Sequence, residues 1–305
     1  MRIHLSNVDV MVKAVKEEGF SGLTALEVAY DTHVDDTLPP FSEEYFSQQL
    51  RLYSEISGRV LDQESGELHP VDMEALLKAP NPIGIYDVEH IVEHVRCLST
   101  MLSLAELRGR PEVLDMGAGH GISSEVFAFS ACRVHAIDID PVLGALSLER
   151  ARVRGLAIER SVMNFDQIET LDNDRYDAAF FFQSLHHCLR PWDLIKILSE
   201  KLIDDAVIGF AGEPVQANWW AHWGLRLDAE SLFVAREHGW FESGWSHDFI
   251  AKCFERNGFT LTFFTGGLGG QQIGIATRSA SRLEKVRAKA ALLSLTEFIP
   301  MRAPQ

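Results

Sequence analysis

The chain has 305 residues, of which 46% are hydrophobic and 24% charged, a balance that is ordinary for a folded protein with a large core. Its formal net charge of −16 argues against DNA or RNA as a partner, because nucleic-acid binding depends on clustered Lys and Arg side chains. No apolar stretch is long enough to span a bilayer, and the four cysteines are widely spaced. We therefore expect a cytoplasmic protein with no membrane insertion and no disulfide.

The first 85 residues do not follow the alternation of strands and helices that comes later. Apolar spacing and turn residues predict three helices and one small hairpin, over 8–18, 42–56, 71–78 and 58–67 in that order. We predict that residues 1–85 form a helical cap that covers a substrate.

From residue 86 to residue 278 the chain alternates between β-prone apolar runs and amphipathic helical runs. The predicted strands are 112–116, 133–138, 156–163, 176–182 and 205–211, and the predicted helices between them include 121–131, 142–154 and 191–203. Such alternation is typical of an α/β, doubly wound parallel sheet with helices on both faces. Ligands bind such sheets beyond the carboxyl ends of the strands.

A glycine-rich loop follows the first of these strands, in the sequence VLDMGAGHG at 113–121. Glycines allow positive φ and a close approach of a ligand to the backbone, while the N–H groups that begin the next helix point at that ligand. A dinucleotide-binding turn has the spacing G-x-G-x-x-G, whereas this loop has G-x-G-x-G. The next strand ends in Asp138, where a carboxylate can accept hydrogen bonds from both hydroxyls of a ribose.

The segments VLDMGAGHG, AIDIDP and YDAAFFFQSLHHC resemble three motifs of class I S-adenosylmethionine (AdoMet)-dependent methyltransferases. The resemblance implies a seven-stranded sheet, mostly parallel with an antiparallel terminal strand, and AdoMet as the cofactor. It divides the chain into the cap (1–85), the AdoMet-dependent methyltransferase domain (86–278, with an insert at 213–245) and a C-terminal helix and tail (279–305).

The same resemblance implies a set of cofactor-binding residues at the edge of the sheet. They are Asp115, Gly117, Ala118, Gly119, Gly121, Asp138, Ile139, Asn164, Phe165, Asp166 and Gln183. After the third strand the family has a polar side chain that bonds the adenine amino group, and Asp166 is preferred over Asn164 for this role.

Two histidines, His186 and His187, follow the fourth strand and are the first candidates for catalysis. Methyl transfer is an in-line displacement that depends on positioning, and a hydroxyl acceptor also needs a base, which imidazole offers near neutral pH. Glu213 and His222 are alternative bases. The alternative for the histidines is packing or cofactor contact, and no metal-ligand spacing is found in the sequence.

The insert is rich in tryptophan, which suggests a stacking platform for a ring-shaped acceptor, although packing in the core would explain one or two of these side chains. The residues are Trp219, Trp220, Trp223 and Trp245, with Trp240 between them. The N-terminal segment LRLYSEISGR and the insert resemble a bacterial subgroup of methyltransferases linked with surface-glycan synthesis.

These observations predict transfer of a methyl group from AdoMet to a small molecule or glycan intermediate, at a hydroxyl oxygen. A protein or N-methyltransferase is one alternative, and a module that binds AdoMet without turnover is another. The sequence leaves the oligomeric state open, with a homodimer as one option.

Overall fold

The structure, a computed structural model, describes residues 2–20, 23, 26–68, 70–216, 219–266 and 272–298. Residues 299–305 of the predicted tail lie outside this part of the chain. The strands within it are β1 (Arg2–His4), β2 (Glu27–Ala29), β3 (Glu112–Met116), β4 (Arg133–Asp138), β5 (Ile158–Val162), β6 (Tyr176–Phe182), β7 (Leu202–Ala211), β8 (Trp223–Leu225), β9 (Ser243–Trp245), β10 (Thr260–Thr265), β11 (Ile273–Thr277) and β12 (Thr296–Phe298).

Helices alternate with these strands over the middle of the chain, as the sequence predicts. They are α1 (Val8–Glu18), α2 (Glu43–Ser57), α3 (Met73–Lys78), α4 (Val88–Leu104), α5 (Ile122–Phe129), α6 (Pro141–Arg154), α7 (Pro191–Lys201), α8 (Ala229–His238), α9 (His247–Glu255) and α10 (Ala280–Leu292). Among the described residues, no helix combines the length and apolar character that crossing a bilayer requires.

The chain divides into two compact units that are not continuous in sequence. The first unit comprises the described residues of 1–69, 186–189 and 214–250, and the second unit comprises the rest. Residues 70–85, which we predicted to belong to the cap, group with the second unit. The buried Arg150 guanidinium fixes them there by donating to the carbonyl oxygens of Leu76 and Ala79, both at 3.1 Å.

The second unit contains one eight-stranded sheet in the order β12-β10-β11-β7-β6-β3-β4-β5. Strands β3 to β7 pair in parallel, while β11 runs antiparallel to both β7 and β10. The prediction of a doubly wound, mostly parallel sheet is confirmed, but its strand count of seven is one too low. Residues 296–298, of which 297 and 298 were predicted to belong to the tail, form β12 antiparallel to β10, where the unpaired backbone groups of an edge strand offer hydrogen bonds.

Apolar side chains from both faces of the central strands form the core of the second unit. Phe127 of α5 packs on Phe180 of β6 with ring centroids 4.9 Å apart, and Met101 of α4 is fully buried in the same cluster. The four cysteines are buried, as small apolar side chains usually are. Leu114, Ala179 and Phe181, whose side chains alternate to the opposite face, are also fully buried, so the sheet is covered on both faces.

The first unit combines α1, α2 and α8 with two small sheets, β1 with β2 and β8 with β9. The predicted hairpin over 58–67 is wrong, because this stretch has no strand. Its turn is held locally instead, by the Asp62 carboxylate, which accepts hydrogen bonds from the backbone N–H groups of Glu64 and Ser65.

Candidate active site

The glycine-rich loop between β3 and α5 has the left-handed backbone that its sequence predicts. Gly117, Gly119 and Gly121 all have positive φ, at 68°, 49° and 91°. A Cβ at Gly117 would lie 2.5 Å from the Ser184 Cβ, so this glycine permits close packing of the loop. A Cβ at Gly119 would have no heavy atom within 4 Å, which means that the Gly119 backbone borders open space.

Asp138, the last residue of β4, is oriented by the loop and by its own chain. Its Oδ2 accepts a hydrogen bond from the Gly119 N–H at 2.7 Å, and its Oδ1 accepts one from the Asp140 N–H at 2.9 Å. An ionised carboxylate has about four lone-pair sites, so each oxygen retains capacity for another donor. The predicted ribose diol fits this arrangement. Ile139 lies between the two acids and is partly buried.

Arg160 on β5 lies beside Asp138 and was not singled out by the sequence. Its side chain is 1% exposed, its Nη1 donates to the Gly119 carbonyl oxygen at 2.9 Å, and its Nη2 lies 3.5 Å from Asp138 Oδ1. Neither its Nη2 nor its Nε has a hydrogen-bond partner. A ligand hydroxyl could accept from Nη2 while it donates to Asp138. This buried, unsatisfied donor therefore supports the fit of a ribose.

Asp115 lies beneath the loop and is only 1% exposed. Its Oδ2 accepts hydrogen bonds from the hydroxyls of Ser123 and Ser124 at 2.7 and 2.5 Å, which ties β3 to the first turn of α5. Burial raises the pKa of this carboxyl to about 6, although the two serine hydroxyls and Arg160 oppose the shift. Asp115 is therefore placed to support the loop from below. Ala118, also buried, donates its N–H to the Ile137 carbonyl oxygen.

The turn after β5 carries three of the predicted cofactor-binding residues, of which Asn164 and Asp166 are the candidates for the adenine contact. Asn164 is engaged locally, since its Oδ1 accepts from the Gln167 N–H and its own N–H donates to Gln167 Oε1. Asp166, the preferred candidate, begins a short 3₁₀ helix and is exposed. Phe165 lies close to the loop, with its Cζ 3.3 Å from the position of a Cβ on Gly117.

Gln183 directly follows β6 in a strained conformation, with φ of 54° and an exposed side chain. Left-handed backbone in a residue other than glycine is uncommon and is concentrated at functional sites. Glu213, an alternative base in our prediction, helps to hold this turn, because its Oε1 accepts from the N–H groups of Ser184 and Leu185 at 2.8 and 3.0 Å.

In the first unit, His186 and His187 meet a third side chain that the sequence did not indicate, Glu242. His186 Nε2 lies 3.5 Å from Glu242 Oε2, and His187 Nε2 lies 3.9 Å from Glu242 Oε1. His186 and Glu242 are buried, whereas the His187 side chain is 21% exposed. Arg226 balances the charge of Glu242 with its Nη1 at 3.1 Å from Oε2.

The tautomer of His187 follows from its contact with the backbone. Nδ1 lies 3.1 Å from the Phe241 carbonyl oxygen, which can only accept, so Nδ1 carries the proton and the neutral ring has its lone pair on Nε2. The Phe241 N–H donates to the Glu67 carboxylate at 3.2 Å. The pKa of Glu67 is raised to about 7, chiefly by burial and also by the nearby charge of Glu242, while the hydrogen bond from Phe241 opposes the shift.

The tryptophans of the insert divide into core residues and partly exposed ones. Trp223 and Trp245 are 2% and 1% exposed, and Trp220 is 8% exposed. Their burial removes these three from the predicted stacking platform. Trp219 and Trp240 are partly exposed. The edge of Trp240 meets His187, with ring centroids 5.6 Å apart.

His222, the other alternative base, precedes β8 in the first unit. It is partly exposed, and its backbone carbonyl oxygen accepts from the Ser246 N–H at 2.7 Å. His222 does not belong to the group of possible metal ligands that His186, His187 and Glu242 form.

Comparison with known proteins decides the family. The family model described as "Methyltransferase domain" matches residues 89–262, more than half of the chain. The chain belongs to this family. Together with the sheet topology, this makes the protein an AdoMet-dependent class I methyltransferase, with AdoMet as its cofactor. No curated protein matches the chain.

Solved structures with the methyltransferase fold are similar to this chain at low sequence identity. One is a chain from the complex of the Haloferax volcanii Trm112 methyltransferase activator with a putative methyltransferase, at 13% identity, covering 69% of this chain and 99% of that one with a TM-score of 0.50. The geranyl diphosphate C-methyltransferase of Streptomyces coelicolor has 13% identity, 79% and 100% coverage and a TM-score of 0.49. The 1,6-didemethyltoxoflavin-N1-methyltransferase of Burkholderia thailandensis has 18% identity, 62% and 80% coverage and a TM-score of 0.46.

Sequence reasoning missed four residues of this methyltransferase: Arg160, Glu242, Arg226 and Glu67. Arg160 could have been noticed as a charged residue within a predicted strand beside Asp138. The other three offer no comparable signal, because charged residues in a loop or a short strand are ordinary.

Proposed function

We propose that this methyltransferase methylates a hydroxyl oxygen of a small molecule or glycan intermediate, and that it acts in the cytoplasm. The observation that carries the choice of oxygen is the His187 tautomer, in which the Nδ1 contact with Phe241 leaves the lone pair of the neutral ring on Nε2. An alcohol must lose its proton as its oxygen attacks, and a neutral imidazole is the side chain suited to accept that proton.

The cofactor would be held by the second unit. Asp138 would accept from the ribose hydroxyls, the open backbone at Gly119 would border the cofactor, and Asp166 would bond the adenine amino group. Gln183 would contact the cofactor from the end of β6. AdoMet supplies an activated methyl group on its sulfonium, so the chain's own task is to align the acceptor oxygen with that methyl and to take the proton.

The acceptor would be bound by the first unit. The N-terminal segment and the insert belong to one compact unit that also holds His186 and His187, and only Ser184 and Leu185 separate Gln183 from His186 in the sequence. Trp219 and Trp240, the partly exposed tryptophans, would provide apolar surface for a ring-shaped acceptor such as a sugar.

The test begins with calorimetric titration of the protein with AdoMet and with S-adenosylhomocysteine, beside an Asp138→Ala variant. We expect binding that the variant loses. Methyl acceptors are then screened. Sugars and nucleotide sugars are the acceptors that carry hydroxyl groups, and matched amino sugars are the controls. Release of S-adenosylhomocysteine is the readout.

Turnover with hydroxyl acceptors that His187→Ala abolishes, while AdoMet binding is unchanged, supports the proposal. Turnover only with amines or with protein substrates would instead favour an N-methyltransferase or a protein methyltransferase. AdoMet binding without turnover on any acceptor of the screen would favour the non-catalytic module.

A further inference from the structure

We propose that His186, His187 and Glu242 form a binding site for one divalent transition-metal ion of the Zn²⁺ type. Each residue offers one ligand atom, and the three atoms lie within 4.8 Å of one another. Two imidazoles and one carboxylate suit Zn²⁺, Co²⁺ and related ions, whereas Mg²⁺ and Ca²⁺ prefer oxygen ligands. The inference goes beyond the proposed function, because metal binding does not require AdoMet or an acceptor.

The geometry is close to what an ion requires. The Nε2 atoms of His186 and His187 lie 3.5 and 3.9 Å from the carboxylate oxygens of Glu242. At metal–ligand distances near 2.1 Å, the ligand atoms of a tetrahedral Zn²⁺ are separated by about 3.4 Å. Only a small side-chain adjustment would therefore bring the three donors around one ion.

Backbone hydrogen bonds hold the two histidines in place beside Glu242. Both belong to the 3₁₀ helix Leu185–His187, and their rings lie 4.3 Å apart. The His186 carbonyl oxygen accepts from Ser243 Oγ at 2.6 Å, and the His187 carbonyl oxygen accepts from Gln63 Nε2 at 2.7 Å. Because Ser243 directly follows Glu242, the first of these bonds also fixes the position of the carboxylate relative to the histidines.

His187 has the protonation pattern of a metal ligand. Histidines that bind metals usually donate the proton of their other ring nitrogen to a carbonyl or a carboxylate, which fixes the tautomer. His187 does this with Nδ1 and the Phe241 carbonyl oxygen. His187 is also the most exposed of the three residues, so a fourth coordination position would face its side, as in metal sites that keep an open position.

Arg226 sets a limit on the site. Its Nη1 already contacts Oε2 of Glu242 at 3.1 Å. Oε1, on the His187 side, is therefore the oxygen that would bind the ion, and the carboxylate would rotate to bring Oε1 towards His186 Nε2, which now lies 3.5 Å from Oε2. The carboxylate would then lie between a guanidinium and a metal ion. Without an ion, Arg226 helps to balance the charge of Glu242.

A second pair of histidines must be removed before the test. His90 and His94 lie one turn apart on α4, with ring centroids 4.3 Å apart, and such a pair binds transition metals on its own. The experiment therefore uses a protein without an affinity tag that carries His90→Ala. This protein is stripped with a chelator and titrated with Zn²⁺ against a chromophoric competitor, and separately with Co²⁺.

We expect one equivalent of Zn²⁺ to bind to the His90→Ala protein, and Co²⁺ to give the visible absorption of a low-coordinate nitrogen and oxygen site. Adding His187→Ala should weaken binding by at least about 100-fold, since a lost ligand weakens binding at least as much as a lost supporting group does. Glu242→Gln should do the same, and far-UV circular dichroism shows whether each variant folds.

Equal affinity with and without His187, in folded protein, would overturn the proposal, as would a complete loss of binding in His90→Ala alone. AdoMet titration of the stripped protein keeps the two proposals separate. A protein that binds AdoMet but no metal contradicts only the metal site, and one that binds metal but no AdoMet contradicts only the proposed function.

Discussion

The buried carboxyl of Asp115 should give this protein a measurable dependence of stability on pH, which Asp115→Asn should remove. Burial beneath the glycine-rich loop raises the pKa of Asp115 from its ordinary 3.8 to about 6. The folded state therefore holds this proton at pH values where the unfolded state has released it. Asparagine has a similar shape and can still accept a hydrogen bond from Ser123 or Ser124, but it does not titrate.

The sign and the size follow from this shift in pKa. The raised pKa favours folding below about pH 4, and that contribution is lost as the pH rises through about 6. A shift of about two pKa units corresponds to about 3 kcal/mol. Relative to the wild type, the Asp115→Asn variant should therefore gain about 3 kcal/mol in free energy of unfolding between about pH 4 and pH 7.

Urea unfolding of both proteins across this pH range measures the difference, in which the contributions of all other titrating groups cancel. The same substitution at the exposed Asp166 controls for the loss of one charge. A difference that stays constant with pH would refute the reasoning. A slope of opposite sign would mean that the serine hydroxyls and Arg160 stabilise a charged Asp115 more than burial disfavours it.

Further predictions concern the cofactor edge, with affinity for AdoMet measured by calorimetry. Asp138→Asn should weaken binding about 10- to 150-fold, because one hydrogen bond to a charged group contributes about 1.5–3 kcal/mol; a change under about threefold would contradict the ribose contact. Arg160→Met should weaken binding at least about 10-fold if its Nη2 meets the same hydroxyl, and unchanged affinity would limit Arg160 to a structural role. Gly117→Ala should lower the free energy of unfolding by about 2–4 kcal/mol, through its left-handed φ and its clash with Ser184. Gly119→Ala, which has space for its methyl group, should instead change the free energy of unfolding by no more than about 1–2 kcal/mol and should weaken AdoMet binding. A Gly119→Ala variant that loses more stability than Gly117→Ala but keeps its affinity for AdoMet would contradict the contact of Gly119 with the cofactor.

The sequence predicted the strands, helices and glycine-rich loop of the second unit well because their signals are local. Alternate glycines, an acid at the end of the next strand and the alternation of strands and helices each lie within a short window, and the order of strands follows from the right-handed crossovers of a parallel sheet. The strand at 296–298 was missed for the opposite reason. Three residues carry too little pattern to predict a strand, and their pairing depends on the exposed edge of β10.

The tryptophans show why composition is a weaker guide than spacing. Their density in the insert suggested a surface for a ligand, yet Trp223 and Trp245 face each other across β8 and β9 and are buried. Two three-residue strands cannot enclose a core without large side chains, so packing alone requires bulky residues there. A segment rich in tryptophan can therefore serve either core packing or ligand binding. Only the burial of each side chain in the structure distinguishes these two roles.

The sequence indicated only part of the cluster of His186, His187 and Glu242, because its members come from distant segments of the chain. The two histidines follow a sheet motif, which marked them as candidates, but Glu242 lies in the insert that returns to them much later in the sequence. A catalytic base requires only one imidazole, so the two histidines alone were enough to suggest a base from the sequence. A metal site needs a third ligand from a distant segment, so it could be inferred only after the fold had brought the insert beside the histidines. Both roles require the Nε2 lone pair of His187, so in any one molecule that imidazole serves either as the base or as a metal ligand.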